Sequence, residues 1–262
     1  MTEILTWVSW LLLPAFLVLD FVVRARRFDT PRGWRLRALA VTAGAFWLSL
    51  KVGELFAATL PAWTLLDLSG LGAGLGAVVG VLVYELFHYG YHRTAHTWGW
   101  LWRTSHRMHH APESLDAFGA WYLHPIDVLA FNSIGILVAF PLLGLTPEAG
   151  AWMGAFLAFN AMFQHANLRT PRWLGWIIQR PEAHGVHHGR GVHRFNYSDL
   201  PLWDFVFGTL RNPARFEGKV GFYDGASSRL GTLLLGRKLE APEGVGPTSG
   251  RPPRQPVESA AA

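Results

Sequence analysis

Two runs of histidine in this chain repeat one spacing: His106-Arg-Met-His-His110 and His184-Gly-Val-His-His188. On a helix, positions i, i+3 and i+4 share a face, so each run is expected to aim three imidazoles at one place. His88, His92 and His96 are spaced by four and share a helical face in the same way. His124 and His165 stand singly at the ends of apolar stretches, and His193 follows the second run in a loop, where by itself it reads as a hydrogen-bonded structural residue. Imidazoles gathered so densely predict a metal. The chain has no cysteine, which excludes disulfides, iron–sulfur clusters, thiolate haem and zinc ribbons and leaves imidazole and carboxylate as ligands.

Ligand number argues for more than one ion. A four-coordinate zinc needs three or four protein ligands, whereas the histidines available here can saturate two ions, and imidazole with open positions suits iron that must still bind oxygen. Soluble di-iron bundles use glutamates and Glu-x-x-His pairs; apart from Glu85-Leu-Phe-His88 no such pair stands among these histidines, so the predicted site is all imidazole or nearly so. Two rivals belong to other classes: a non-enzymatic membrane metal-binding or assembly protein, and a haem protein held by two histidines.

The elements that must position these side chains are apolar. Half of the 262 residues are hydrophobic and 16% are charged, against about 25% in an average soluble domain, which points to a membrane. The net charge of +5 does not indicate nucleic-acid binding, because the basic residues flank apolar runs as membrane topology requires. Ile4 to Val23 reads as a first span of the length that crosses ~30 Å of hydrocarbon, without the basic leader and cleavage site of a signal peptide. Arg24, Arg26, Arg27, Arg32, Arg35 and Arg37 follow in one short loop, which the positive-inside rule assigns to the cytoplasm, leaving the N-terminus outside.

Leu39 to Leu60 reads as a second span, ended by Pro61, with Lys51 and Glu54 expected to pair inside the bundle. Leu68 to Tyr91 is a third, in which Gly72, Gly76 and Gly80 form a ridge for close helix packing; the spacing is not that of a nucleotide-binding loop. Ile126 to Leu145 and Ala149 to Ala166, separated by Thr146, Pro147 and Glu148, read as a hairpin that enters the membrane and returns. The predicted fold is an all-α integral membrane bundle of about five apolar helices, the last two a hairpin, under a cytoplasmic histidine-rich helical cap. By residue, 1–82 carry the N-terminal spans, 83–210 the histidine region with the hairpin at 126–166, 211–239 an interfacial segment with an amphipathic helix over Ser227 to Leu239, and 240–262 a disordered tail. This arrangement puts every histidine at or beyond one membrane face.

The ordered set Glu85, His92-Arg-Thr-Ala-His96, Leu101-Trp-Arg, His106-Arg-Met-His-His110, His124-Pro-Ile-Asp127, Phe163-Gln-His-Ala-Asn167, His184-Gly-Val-His-His188, Asn196-Tyr and Trp203-Asp-Phe-Val-Phe-Gly-Thr209 resembles the sterol desaturase / fatty acid hydroxylase superfamily over roughly Val83 to Leu210. The resemblance implies a di-iron centre of two Fe ions that uses O2 to hydroxylate or desaturate a lipid C–H bond. It implies His92, His96, His106, His109, His110, His165, His184, His187 and His188 as ligands, with His88, His124, Glu85, Asn167 and Asn196 as extra or supporting positions. Glu85 stands where the family often has Asp and keeps a carboxylate able to orient an imidazole.

Asp116, Asp127, Asp199 and Asp204 are further candidates to accept ligand N–H groups. No Gly-rich dinucleotide loop and no appended haem domain are legible, so electrons are expected from a separate ferredoxin- or cytochrome-type protein, steered by Arg169, Arg172, Arg180, Arg190 and Arg194. The arginine- and alanine-rich composition suggests a bacterial inner membrane, with the histidine site and C-terminus cytoplasmic. Sterol-like, fatty acyl and related lipids all suit an apolar slot.

Overall fold

The computed structural model describes residues 2–60 and 63–241. Pro61 and most of the tail expected to be disordered lie outside the described residues. Nine α-helices form among those described: α1 (Thr2–Val22), α2 (Trp34–Thr59), α3 (Gly72–Thr97), α4 (Gly99–Thr104), α5 (Pro125–Leu137), α6 (Pro147–His165), α7 (Pro181–His187), α8 (Pro201–Val206) and α9 (Leu230–Leu234). No strand forms among the described residues beyond an isolated bridge between Gly189 and Val220. Three helical stretches are long and apolar enough to cross a membrane: Trp34–Thr59, Ser69–Thr97 and Pro125–Leu142. A shorter apolar stretch, Leu11–Val22, lies in α1, and α6 has 19 residues, about 28 Å at 1.5 Å per residue.

Two of the three ridge glycines of α3, Gly76 and Gly80, receive α6, while Gly72 has a φ of +68° at the start of the helix and meets nothing within 4 Å. A Cβ on Gly76 would lie 3.0 Å from the Cβ of Ala149, and one on Gly80 2.8 Å from the sulfur of Met153, so only glycine lets the two backbones approach this closely. The hairpin limbs start with proline in the first turn, α5 behind the imidazole of His124 and α6 behind Thr146. Pro141 interrupts the first limb in a π-helical turn, Val138–Leu142. Leu65, Leu66 and Leu68 donate backbone N–H groups to the carbonyls of Pro141, Leu142 and Leu143, which satisfies groups an interrupted helix would leave bare. Beyond this turn the limbs diverge: α6 lies along α3 and α1, while α5 lies along α2.

Three expectations change here. Lys51 and Glu54 do pair, at 2.7 Å, but both face outward, half exposed or more. The first histidine run is a 3-10 turn over His106–Met108 continued by turn residues, not α-helix. The interfacial helix over Ser227 to Leu239 is absent; a 3-10 turn and the five-residue α9 replace it, and Ala226 and Leu233 are buried with Trp102, Tyr122 and Phe222 in the core of the cap. Glu113 fixes this return by accepting from the backbone of Gly225 and Ser227 and from the Ser227 hydroxyl.

Candidate metal centre

α3 presents His92 and His96 one turn apart near its C-terminal end, and α7 presents His184 and His187 with His188 as its cap. α7 is only seven residues long, too short to be stable by itself, and is held from outside. The fully buried guanidinium of Arg180 donates to the hydroxyl and carbonyl of Thr170, to Asn212 Oδ1 and to Pro213 O, and pairs with Glu182 at 3.0 Å. Glu182 in turn accepts from Thr170 N and Oγ1.

Nine imidazoles converge in two adjacent groups. His92, His96, His106, His110 and His187 form one; His109, His165, His184 and His188 form the other; within each group the potential ligand atoms lie within 4.8 Å of one another. Neither run aims at a single spot. In both, the i and i+4 histidines join one group and the i+3 histidine joins the other: His106 and His110 oppose His109, and His184 and His188 oppose His187. The two runs therefore interlock, and His110 stacks on His188 at 4.1 Å across the boundary.

The outward nitrogens show how these rings are held. Nδ1 of His92 donates to Tyr197 O at 2.6 Å, that of His106 to Asp127 Oδ2 at 2.9 Å, that of His165 to Ala161 O at 2.7 Å and that of His187 to Phe195 O at 2.7 Å. A carbonyl or carboxylate can only accept, so each neutral ring must turn a bare Nε2 lone pair inward. Nε2 of His106 faces that of His110 at 3.2 Å, His165 faces His109 at 3.2 Å and His184 faces His165 at 3.1 Å. The buried Nε2 atoms of His92, His187 and His188 have no hydrogen-bond partner in the protein. Lone pairs crowded together and left without donors fit a cation, and the donor set suits an ion that accepts imidazole. Burial, and then the neighbouring imidazoles, push His109, His110, His184, His187 and His188 well below the ordinary histidine value, so all five are neutral at pH 7 and able to ligate.

The loop after α7 supplies acceptors that sequence reasoning missed. His193, Phe195 and Asn196 all have positive φ, a conformation costly for side chains with a Cβ. Asn196 holds it by donating to Ala183 O and Arg211 O and accepting from Arg211 N, and the Phe195 carbonyl then meets His187. Asp204 accepts from the amides of Tyr197 and Ser198, which steadies the Tyr197 carbonyl that holds His92. His193 lies with its Nδ1 3.2 Å from that of His110. Backbone carbonyls carry no side-chain signature, and only the candidate carboxylates were legible: Asp127 also accepts from Tyr91 Oη at 2.6 Å, whereas Asp116 meets Trp34 and Ser114.

The remaining expected positions lie outside both groups. His124 caps α5 through Nδ1 and reaches Leu234 O through Nε2. Asn167 ties the end of α6 to the backbone of Arg26 and, through its N–H, to Asp20. Glu85 and His88 form a third small group with Asp199. Of the five arginines expected to steer a partner, Arg180 is wholly buried and Arg190 pairs with Asp224; Arg169 and Arg172 are exposed.

A cavity of about 390 Å3 runs between the divergent limbs α5 and α6 to the histidines. Its walls include Phe46, Trp121, Phe131, Ile136, Phe140 and Leu157, and its inner end exposes His92, His106, His109, His165 and His184. The molecule thus joins a membrane-embedded apolar slot to a buried cluster of nine imidazoles. The chain belongs to the fatty acid hydroxylase family, whose pattern matches residues 77–209, within the sterol desaturase / fatty acid hydroxylase superfamily. It is 30% identical over 117 residues to a very-long-chain aldehyde decarbonylase of Oryza sativa subsp. indica, covering 42% of this chain and 44% of that protein. It is 26% identical over 113 residues to sphinganine C4-monooxygenase 1 of Arabidopsis thaliana, covering 42% and 44%, and 33% identical over 120 residues to the ornithine lipid hydroxylase of Rhizobium tropici, covering 44% and 35%. The chain therefore aligns to less than half the length of each of these relatives. No solved structure matches it.

Proposed function

We propose that this protein is a membrane di-iron oxygenase that hydroxylates or desaturates a C–H bond of a lipid with O2 and two electrons from a separate ferredoxin- or cytochrome-type carrier. The observation that carries the reading is the apolar slot ending on members of both histidine groups. In this reading His92, His96, His106, His110 and His187 hold one iron and His109, His165, His184 and His188 the other. The relatives' names, a sphinganine monooxygenase and an ornithine lipid hydroxylase, support a lipid substrate.

Bound iron supplies the strongly oxidising chemistry that an unactivated C–H bond demands. The balance is R–H + O2 + 2 e⁻ + 2 H⁺ → R–OH + H2O; desaturation of a CH2–CH2 pair takes the same inputs and releases two waters. The chain's own residues do the rest. Phe131, Phe140 and Leu157 bind the alkyl chain and exclude water, and the fixed Nδ1 bonds of His92, His106 and His187 keep the rings from turning during turnover. The arginine loop is tied to the histidine cap through Arg26 and Asn167, which supports a site on the cytoplasmic face, here of a bacterial inner membrane with the N-terminus outside.

The test is purification from iron-replete cells with metal analysis, beside lipid profiles of a deletion strain and its complemented form. The expected result is about two irons per chain and a lipid that gains one oxygen or loses two hydrogens. One zinc or no metal, with an unchanged lipid profile, would leave a metal-binding or assembly role instead.

A further inference from the structure

We infer that His88, Gln164 and Asp199 form a recognition site for a hydroxyl or amide group carried by the substrate lipid close to the carbon that is oxidised. The inference rests on the lipid-oxidising reading above and adds to it the class of lipid: one with a hydrogen-bonding group near the target carbon, not a plain hydrocarbon chain.

All three side chains line the inner end of the cavity, all are more than nine-tenths buried, and none belongs to either histidine group. Burial of hydrogen-bonding groups is costly unless they are paired, and here pairing is incomplete. Nδ1 of His88 has no hydrogen-bond partner, its nearest carboxylate oxygen, Glu85 Oε2, being 3.6 Å away; Glu85 Oε1 has none either. The surroundings are already fixed. Gln164 Nε2 donates to Asp199 Oδ1 at 2.7 Å, and the amides of Asp199 and Leu200 donate to Glu85 Oε2 at 2.8 and 3.3 Å. On this wall Gln164 and Asp199 are paired and rigid while His88 Nδ1 is left unpaired, an arrangement preorganised for a partner that arrives with the ligand.

Its place sets where that partner sits on the lipid. His88 is one helical turn before His92 and stacks on it at 5.3 Å with the rings 18° apart. A group bound at His88 therefore lies about 6 Å along α3 from the ring of His92, a distance of a few bonds in an alkyl chain. A cation held by Glu85, His88 and Asp199 is the competing use of these atoms. The commitment of Glu85 and Asp199 to backbone amides and Gln164, and the opening of the group into the lipid slot, favour the lipid.

The experiment compares binding of two probes to the full chain in lipid nanodiscs, metal-free and iron-loaded: a long-chain N-acyl amino alcohol and a chain-matched hydrocarbon. The wild type is expected to bind the amino alcohol about tenfold more tightly, the value of one well-made hydrogen bond. In His88→Phe, which keeps the stacked ring and removes both nitrogens, and in Gln164→Met, that ratio is expected to fall to about one while hydrocarbon binding stays. An undiminished ratio in both variants, or a third metal ion per chain lost with His88→Phe, would overturn the inference. If the wild type discriminates as expected yet the protein from iron-replete cells holds no iron and the deletion strain's lipid profile is unchanged, the oxygenase reading fails and the recognition site stands.

Discussion

The two histidine groups are built from interlocked runs but are not held alike. In the five-membered group, His92, His106 and His187 each donate Nδ1–H to a fixed oxygen, and His110 abuts His193. In the four-membered group only His165 has such an acceptor; the buried Nδ1 atoms of His109 and His184 have no partner. Three of its four members line the cavity, against two of five in the other group. Rings tied from behind keep their orientation and gain basicity, whereas untied rings can turn. The contrast is between a group with three of its five rings tied, His96 being untied, and a group with one tied ring that lines more of the cavity.

The largest effect should come from two neighbours on opposite sides of the boundary. His110→Ala removes a ligand from the five-membered group and His109→Ala one from the four-membered group, although the residues are adjacent. Each variant is expected to retain about one ion where the wild type holds two, with turnover down by about a thousandfold, as the loss of several kcal/mol of metal-ion stabilisation implies. Metal analysis of both variants decides it. Loss of both ions from either one would show a single cooperative site and end the comparison.

This division was only half legible in the chain. Eight of the nine converging residues stand in runs or at helical spacing, whereas His165 stands singly and His88, equal to His92 and His96 by spacing, joins neither group; the family resemblance separated them, and Gly76 and Gly80 of the glycine ridge foretold the close contact of α3 with α6. Their partition was not legible, because helical projection treats i, i+3 and i+4 as one face. At van der Waals scale the rings of His109 and His110 meet at 89° and diverge to different groups. The acceptors of His92 and His187 are peptide carbonyls, whose placement depends on the positive-φ loop at 193–196, and no residue type announces that. The amphipathic look of residues 227–239 overstated the helix, which is confined to Leu230–Leu234: Leu233 is buried in the core of the cap, while Leu234 and Leu235 stay exposed.

The next effect tests what the groups share. α7 contributes to both, so loosening it should disturb both equally. Arg180→Ala removes the donors to Thr170, Asn212 and Pro213 and leaves Glu182 without its cation. The expected cost is about 3 kcal/mol or more, the range for breaking a buried pair, read as a lower midpoint in thermal unfolding together with loss of both ions. Retention of either ion in the destabilised protein would mean that its group does not depend on α7.

Asp127→Asn should act on one group alone. The carboxylate of Asp127 fixes His106 and accepts from Tyr91, and neither contact reaches the four-membered group. Affinity for the first ion should fall about 10- to 100-fold, the usual effect of removing such a support, and the second should be unaffected in a competitive chelator titration. Equal weakening of both would show that orientation passes across the His110–His188 stack.

The smallest effect is a difference in acid sensitivity, and its sign follows from the depressed histidines. His109, His110, His184, His187 and His188 are held neutral by burial and by one another, and His193 is pushed down to about 3. The unfolded chain takes up these protons near about pH 6.5. Above that value both states are neutral and stability is flat; below it the unfolded state binds more protons, so stability falls as pH falls, by at most ~1.4 kcal/mol per unit for each group. Thermal unfolding of the metal-stripped protein at about pH 7.5, 6.5 and 5.5 should show a midpoint that drops only in the lower interval. With metal bound, protons compete for the same nitrogens. His109 and His184 must be oriented as they bind, whereas His92, His106 and His187 are oriented beforehand, so the ion of the four-membered group should leave first, by a fraction of a pH unit. His109→Ala retains only the five-membered group's ion and His110→Ala only the other, so their acid-release curves measure that gap directly, and the reverse order would show that the untied rings make the stronger site.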